Sequence, residues 1–434
     1  MKKLCALLVL SLLFLSLGWA QSSDTTTRLS TFLQYLHSKR GFSGELLVAQ
    51  GHQLILHHAV GDAHREPSVP ASPGQVYRIA SITKPLTAAL VLQAQQEGRL
   101  DLDAPIGIYL PTLAEAWQEI TPRQLLNHTA GMPHWEGIPD YWPHWSHQSI
   151  SIEQGLALIG EMRPLAAPGG EFHYSSPGYF LLGCVMEVLY GMPFDALVAE
   201  YAQAHGLENT QGVVAGQVSP QLATGYHRMP NDSVVRAPHR DYSLLKGAGN
   251  LQSTAQDLWQ WLRHTTPNIE SEGSGYAMGW YVQQEPRLRL HHGGGTWGYN
   301  SYLAFYPGSE ITVVLLSNVS TLPMTEFGET LEKIVFEGLE VSTPESTDAA
   351  AEAPARELVV GLYRSEGGHQ LRLSEHQNQL VAQMQGNPPF VLTPEGGGYA
   401  SQLVGIHIEF ITDEDQVTGL VAHRMGQEFR FVKE

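Results

Sequence analysis

Tyr77-Arg78-Ile79-Ala80-Ser81-Ile82-Thr83-Lys84-Pro85-Leu86-Thr87-Ala88-Ala89-Leu90-Val91-Leu92-Gln93-Ala94-Gln95-Gln96-Glu97-Gly98 is the stretch on which the fold turns. Its second half is rich in Ala, Leu and Gln, all strong helix formers. It closes on Gly98, a residue suited to the left-handed conformation past a helix end. The pattern predicts a helix over Thr83–Glu97 with Ser81 at its first turn, where Pro85 is tolerated. Residues three apart share a helix face, so the Ser81 hydroxyl and the Lys84 amine would stand side by side. A serine hydroxyl becomes a useful nucleophile only with a base in hydrogen-bonding reach. A lysine serves if burial lowers its pKa from about 10.4. Free N–H groups at a helix start also favour developing negative charge. The four-residue pattern alone also occurs on solvated helices, so its companions must decide its meaning.

Outward from this helix, Glu45–His57 reads as a strand pair across Gly51-His52. Leu288-Arg289-Leu290-His291-His292 and Ser301-Tyr302-Leu303-Ala304-Phe305 read as paired strands around a glycine-rich turn, with Ile311–Ser317 as a third. The mixture predicts an α/β (α+β) fold, a helix packed on an antiparallel sheet, over residues 27–340. Residues 341–356 are small, polar and proline-bearing, which predicts a linker. Over residues 357–434, period-two runs such as His369–Leu373 and Gln379–Met384 alternate with turns. They predict a small antiparallel, barrel-like β domain without a chemical constellation of its own.

The chain starts Met1-Lys2-Lys3, runs apolar from Leu4 to Leu17 and continues Gly18-Trp19-Ala20, the pattern of a secretory signal over residues 1–20. An exported protein, periplasmic or secreted, is expected, with no integral membrane segment after cleavage. Losing that segment removes two lysines and no acid, taking the net charge from −18 to −20. Such acidity argues against nucleic acid as a partner. Cys5 leaves with the signal, and Cys184 in an apolar helical stretch is expected to pack rather than react.

Three segments become informative together: Tyr77–Lys84, then Phe172-His173-Tyr174-Ser175-Ser176-Pro177-Gly178-Tyr179, then His292-Gly293-Gly294-Gly295-Thr296-Trp297-Gly298. In this order they resemble the serine β-lactamase and penicillin-binding-protein superfamily, in its class C β-lactamase-like branch, with its S-x-x-K, Y-x-N and K-T-G or H-x-G motifs. Gly98–Asp103, Leu125–Met132 and Gly249–Leu258 are similar too, so the resemblance spans about Phe42 to Asn318. It implies an antiparallel sheet flanked by helices with an all-helical subdomain. It also implies Ser81 as the acylated nucleophile, Lys84 as its partner and Tyr174 as a proton relay. The Ser81 and Gly295 N–H groups would form the oxyanion hole, with His292, Gly294 and Ser176 lining the substrate site. Lysine and tyrosine both remain candidates for the base, and the lysine charge is expected to lower the tyrosine pKa. His291-His292-Gly293 competes for the third register. Strand alternation puts Leu288, Leu290 and His292 on the face toward the Ser81 helix, which selects His292.

Two departures bear on substrate. Ser176 stands where the family often has asparagine, and histidine and glycine replace the lysine and threonine of K-T-G. Both weaken the anchor for a β-lactam or peptide carboxylate and leave simple ester or amide hydrolysis open. The leading expectation is an exported serine hydrolase acting on a small-molecule or peptide substrate. A β-lactamase or D-alanyl peptidase, and a non-hydrolysing sensor of the same fold, are the alternatives. The dense segment His134–His147 suggests an aromatic lid over a partly apolar pocket or a self-packed loop. Its histidines lack the H-E-x-x-H spacing of a zinc site, and no metal or organic cofactor is expected.

Overall fold

The computed structural model describes residues 24–142, 144–213, 219, 221–229, 233–265, 267, 269, 275–320, 322–340, 353–365, 368–376, 379–385, 389–401, 406–413, 416–424 and 427–434. The signal-like segment 1–20 and most of the linker-like stretch 341–356 lie outside them.

Strand β7 (Ile311–Ser317) is buried along its whole length, and its largely apolar sequence suits an interior strand. It pairs on one side with β1 (Gly44–Gln50) and on the other with β6 (Tyr299–Tyr306). With β2 (Gln53–Val60), β3 (Gly275–Ala277), β4 (Trp280–Gln283) and β5 (Arg289–Thr296), these make a seven-stranded antiparallel sheet ordered β3-β4-β5-β6-β7-β1-β2. Period-two alternation gives the sheet two apolar faces. Leu46, Val48, Ala304, Val313 and Leu315 meet helix α1 (residues 24–40) and the C-terminal α6 (Met324–Glu337). Leu47, Leu303, Val314 and Leu316 meet α2 (Thr83–Gln96) and α5 (Ala255–His264). Between β2 and β3 the chain alternates helices with loops and short strands, and α3 (Ser176–Tyr190) and α4 (Phe194–Ala204) pack into the same core as α2.

The predicted helix starts at Thr83 and ends at Gln96, with Glu97 as C-cap and Gly98 left-handed at φ +70°. Ser81 lies one step earlier, in a 3-10 turn Ala80–Ile82 that leads into it. The predicted glycine-rich turn after His292 is instead strand: β5 continues through Gly293–Gly295, and the reversal falls at Trp297-Gly298. The reason is packing. A Cβ on Gly294 would come within 2.4 Å of the Ile79 carbonyl and 3.1 Å of the Ser81 nitrogen, so glycine here permits backbone contact.

Beyond the short helix Arg356–Val359, eight antiparallel strands from Gly361–Ser365 to Gln427–Lys433 close into a barrel. Its filling comes from Tyr363, Leu371, Leu373, Leu380, Ile408 and Leu420. Among the described residues no single helix is long and apolar enough to cross a membrane.

Candidate active site

Ala80, at φ +48°, bends the chain sharply and presents Ser81. Bonds from Ile79 N to the Leu251 carbonyl (3.0 Å) and from the Ser301 hydroxyl to the Ile79 carbonyl (2.8 Å) hold the turn. The Ser81 side chain is partly open, whereas Lys84, one helical turn on, is completely buried. Lys84 Nζ lies 3.2 Å from Ser81 Oγ, 3.1 Å from Ser176 Oγ and 2.9 Å from the Ala248 carbonyl. Among the described residues no carboxylate lies within ion-pair distance of this amine. Burial therefore lowers its pKa well below 10.5. The carbonyl of Ala248 belongs to a stretch that also grips α2 through Thr87 Oγ1 (2.8 Å to the Gly247 carbonyl).

At the start of α3 the paired serines divide their work. Ser175 caps the helix by accepting from Gly178 N (3.2 Å), which leaves Ser176 free to face Lys84. Tyr174 precedes them, near Ser81 and Ser176, with its ring centroid 4.9 Å from Lys84 Nζ. The expected lowering of the phenol pKa by the lysine is not what the structure gives. Burial raises the Tyr174 pKa well above 10, outweighing its hydrogen bonds to Ser81 and Ser176. Desolvation disfavours charge on either group, lowering the amine and raising the phenol.

His292 is buried on the face of β5 toward Tyr174, 6.3 Å ring to ring, while His291 on the opposite face stacks on Tyr281. His292 Nδ1 sits 2.7 Å from the Gly293 carbonyl, which can only accept, so Nδ1 carries the proton and Nε2 accepts from the Tyr276 hydroxyl at 3.1 Å. Burial, then the Lys84 charge, depress its pKa to about 3, leaving a neutral ring whose nitrogens are both engaged by protein. Pairing of β4 with β5 ends at His291, so from His292 onward β5 offers an open edge beside the Ser81 turn. Gly294 is pressed onto that turn and Gly295, next along, is exposed. Ser81, Lys84, Tyr174, Ser176, His292, Gly294 and Gly295 thus gather in one place.

Several residues at this site carry no motif signal. His134 Nε2 lies 3.1 Å from Ser176 Oγ, and its Nδ1 lies 3.0 Å from Glu136 Oε2. Burial pushes the Glu136 carboxyl up, but its interactions with His134 and His369 outweigh it and hold the pKa at about 2. Trp142 Nε1 donates to the same carboxylate at 3.2 Å. His369, from the barrel, approaches it at 3.8 Å, so the C-terminal domain does touch the site. Tyr174 also leans on His128, 4.4 Å between ring centroids, and His128 Nδ1 accepts from Ser175 N at 3.1 Å.

The described residues of 134–147 pack on one another and on Trp297: Trp135 stacks on Tyr141 at 5.2 Å, and His147 meets Trp297 at 4.9 Å. His144 turns to Gln148 and His147 to the His239 carbonyl, so they diverge from His134. Among the described residues no group of three or more His, Cys, Asp or Glu could hold a metal ion. Cys184 is buried in α3, where desolvation pushes its thiol up to about 12.

Residues 30–333 match the protein family described as Beta-lactamase. The chain is 24% identical to "Penicillin-binding protein 4*" of Bacillus subtilis, across 93% of this chain and 98% of that protein. Among solved structures, the octameric penicillin-binding protein homologue from Pyrococcus abyssi superposes with TM-score 0.64 at 18% identity, covering 94% of this chain and 99% of that one. EstCE1, described as a hydrolase with promiscuous acyltransferase activity, superposes with TM-score 0.59 at 23% identity, over 69% and 94% of the two chains.

Proposed function

The chain belongs to the β-lactamase family, and on that premise we propose that it is a serine hydrolase cleaving an ester or amide bond through an acyl-enzyme on Ser81. One observation carries the reading: a fully buried amine, with no acid beside it among the described residues, hydrogen-bonded to a partly exposed hydroxyl. A neutral lysine amine has two N–H groups and one lone pair. The lone pair takes the Ser81 proton as Oγ bonds to the carbonyl carbon. Charge gathering on the carbonyl oxygen meets the N–H groups of Ser81 and Gly295, each worth about 3 kcal/mol by analogy with other oxyanion holes. The Tyr174 hydroxyl, beside both Ser81 and Ser176, passes a proton to the leaving oxygen or nitrogen while drawing one from Lys84. Water then repeats the sequence on the acyl-enzyme, and Ser81 regains its proton.

The substrate side of the site supports a small ester or amide over a β-lactam. No cation stands at His292, Gly293 supplies no hydroxyl, and both ring nitrogens of His292 are already bonded within the protein. A panel of nitrophenyl esters, a chromogenic cephalosporin and D-alanyl peptides tests this. Ester turnover that vanishes in Ser81→Ala is expected, and cephalosporin turnover faster than ester turnover would replace this reading with a β-lactamase. A stable adduct without turnover would favour the sensor alternative.

The basic start and apolar run of residues 1–20 support an exported location, periplasmic or secreted. The acidic balance supports a small-molecule or peptide partner rather than nucleic acid.

A further inference from the structure

We propose that His134, oriented by Glu136, is a positioning residue that fixes the direction of the Ser176 hydroxyl and so keeps the Lys84 lone pair for Ser81. The inference rests on the serine-hydrolase reading above and adds residues that no motif of the chain contains.

Its root is a count of protons. A neutral Lys84 has two N–H groups and one lone pair to share among Ser81 Oγ, Ser176 Oγ and the Ala248 carbonyl. The carbonyl can only accept and takes one N–H. Of the two hydroxyls, one must accept the other N–H and one must donate to the lone pair. Nucleophilic attack requires Ser81 to be the donor. Ser176 would compete for that lone pair unless its own proton is committed elsewhere.

His134 Nε2, 3.1 Å from Ser176 Oγ, is where that proton goes. The assignment needs Nε2 bare and the imidazole proton on Nδ1. Nδ1 faces the Trp135 N–H at 2.8 Å and Glu136 Oε2 at 3.0 Å, which ask for opposite tautomers. The carboxylate decides: it is ionised, and a lone pair aimed at it would be repelled, whereas an N–H is attracted. Trp142 Nε1 donates to Glu136 Oε1 at 3.2 Å, and His369 stands 3.8 Å from the same oxygen. The Tyr174 ring lies nearly parallel to His134, 14° apart at 5.8 Å, and restrains its plane.

The arrangement also accounts for the departure at position 176. An asparagine amide carries its donor and acceptor in fixed places. A serine hydroxyl has a single rotatable proton and needs an outside acceptor to orient it. In this chain a residue 42 positions upstream supplies that acceptor.

The test measures how fast a fluorophosphonate probe labels Ser81, a step in which Oγ–P forms, fluoride leaves and Lys84 takes the proton. His134→Ala is expected to slow labelling about tenfold, the scale of one hydrogen bond to a buried polar group. His134→Ala combined with Ser176→Asn is expected to recover most of that loss. In a Ser176→Ala background, His134→Ala is expected to change the rate little, because the competing hydroxyl is gone. Should His134→Ala fail to fold, Glu136→Ala, which frees the other tautomer, is expected to slow labelling in the same direction. Labelling of His134→Ala at the wild-type rate overturns the inference, as does an equal slowing with or without Ser176. Absence of labelling in the wild type overturns the hydrolase reading as well.

Discussion

Lys84 Nζ and Ser81 Oγ are 3.2 Å apart, yet the two ends of this bond stand in different surroundings. The amine, on the first turn of α2, has no exposure, while the hydroxyl is partly exposed. Helical spacing brings them together and burial makes the pairing chemically useful, because a charged amine could not accept the serine proton.

Lys84→Arg keeps a long cationic side chain but removes the base, since a guanidinium stays protonated at every accessible pH. Ester turnover is expected to fall roughly a thousandfold or more, the scale seen when one member of a coupled catalytic set is lost. Steady-state kinetics with a nitrophenyl ester measure it, and a loss under tenfold would count against Lys84 as base.

The pH profile follows from the direction of the lysine shift. Burial lowers the Lys84 pKa, so the free amine dominates at a lower pH than for a solvated lysine. The value of kcat/KM is expected to rise with pH and to level off well below 10.5. A rise continuing to that pH would mean a solvated lysine and a different base. His292, with its pKa near 3, is not expected to contribute a limb between pH 5 and 8.

Gly294→Ala tests the close approach of β5 to the nucleophile turn. Its Cβ would press on the Ile79 carbonyl and come 3.1 Å from the Ser81 nitrogen, backbone atoms that cannot withdraw without moving Ser81. At least about 2 kcal/mol should be lost from transition-state stabilisation, near thirtyfold in kcat/KM. Gly293→Ala, whose Cβ has only ordinary contacts beginning at 3.7 Å, is the control and should keep the rate within a few fold.

Glu136→Gln should lower stability in a pH-dependent way. The carboxyl is held at about 2 against an ordinary 4.5, so its contribution is fully present above pH 4.5 and is lost as pH falls through 2. The gap in melting temperature between wild type and variant is expected to be widest near pH 6 and to narrow steadily below pH 4.5. A gap independent of pH would show that the ionised carboxylate does not stabilise the fold.

Local chemistry made much of this readable in the sequence. Ala, Leu and Gln marked α2, the largely apolar run of Ile311–Ser317 marked an interior strand, and alternation along Leu288–His292 separated the two histidines. What escaped notice is held by contacts between distant segments. Gly293–Gly295 looks like a turn in composition and is strand because a backbone pressed against Ile79 has no room for a side chain at Gly294. His134 and Ser176 are separated by 42 residues with no shared periodicity, and only the folded chain joins them. The carbonyl of Ala248 has no side-chain signature at all, and His369 belongs to a domain whose own sequence showed no chemistry. The direction of the Tyr174 shift likewise depends on burial, which the tripeptide around it does not reveal.

The central claim is that Ser81 carries the acyl group during turnover. Rapid quenching of wild-type protein with a nitrophenyl ester, followed by intact-mass measurement and peptide mapping, addresses it directly. The account predicts a transient adduct of one acyl mass on the peptide containing Ser81, decaying as product appears and absent in Ser81→Ala. Turnover with the adduct on another residue, or undiminished turnover in Ser81→Ala, would contradict it.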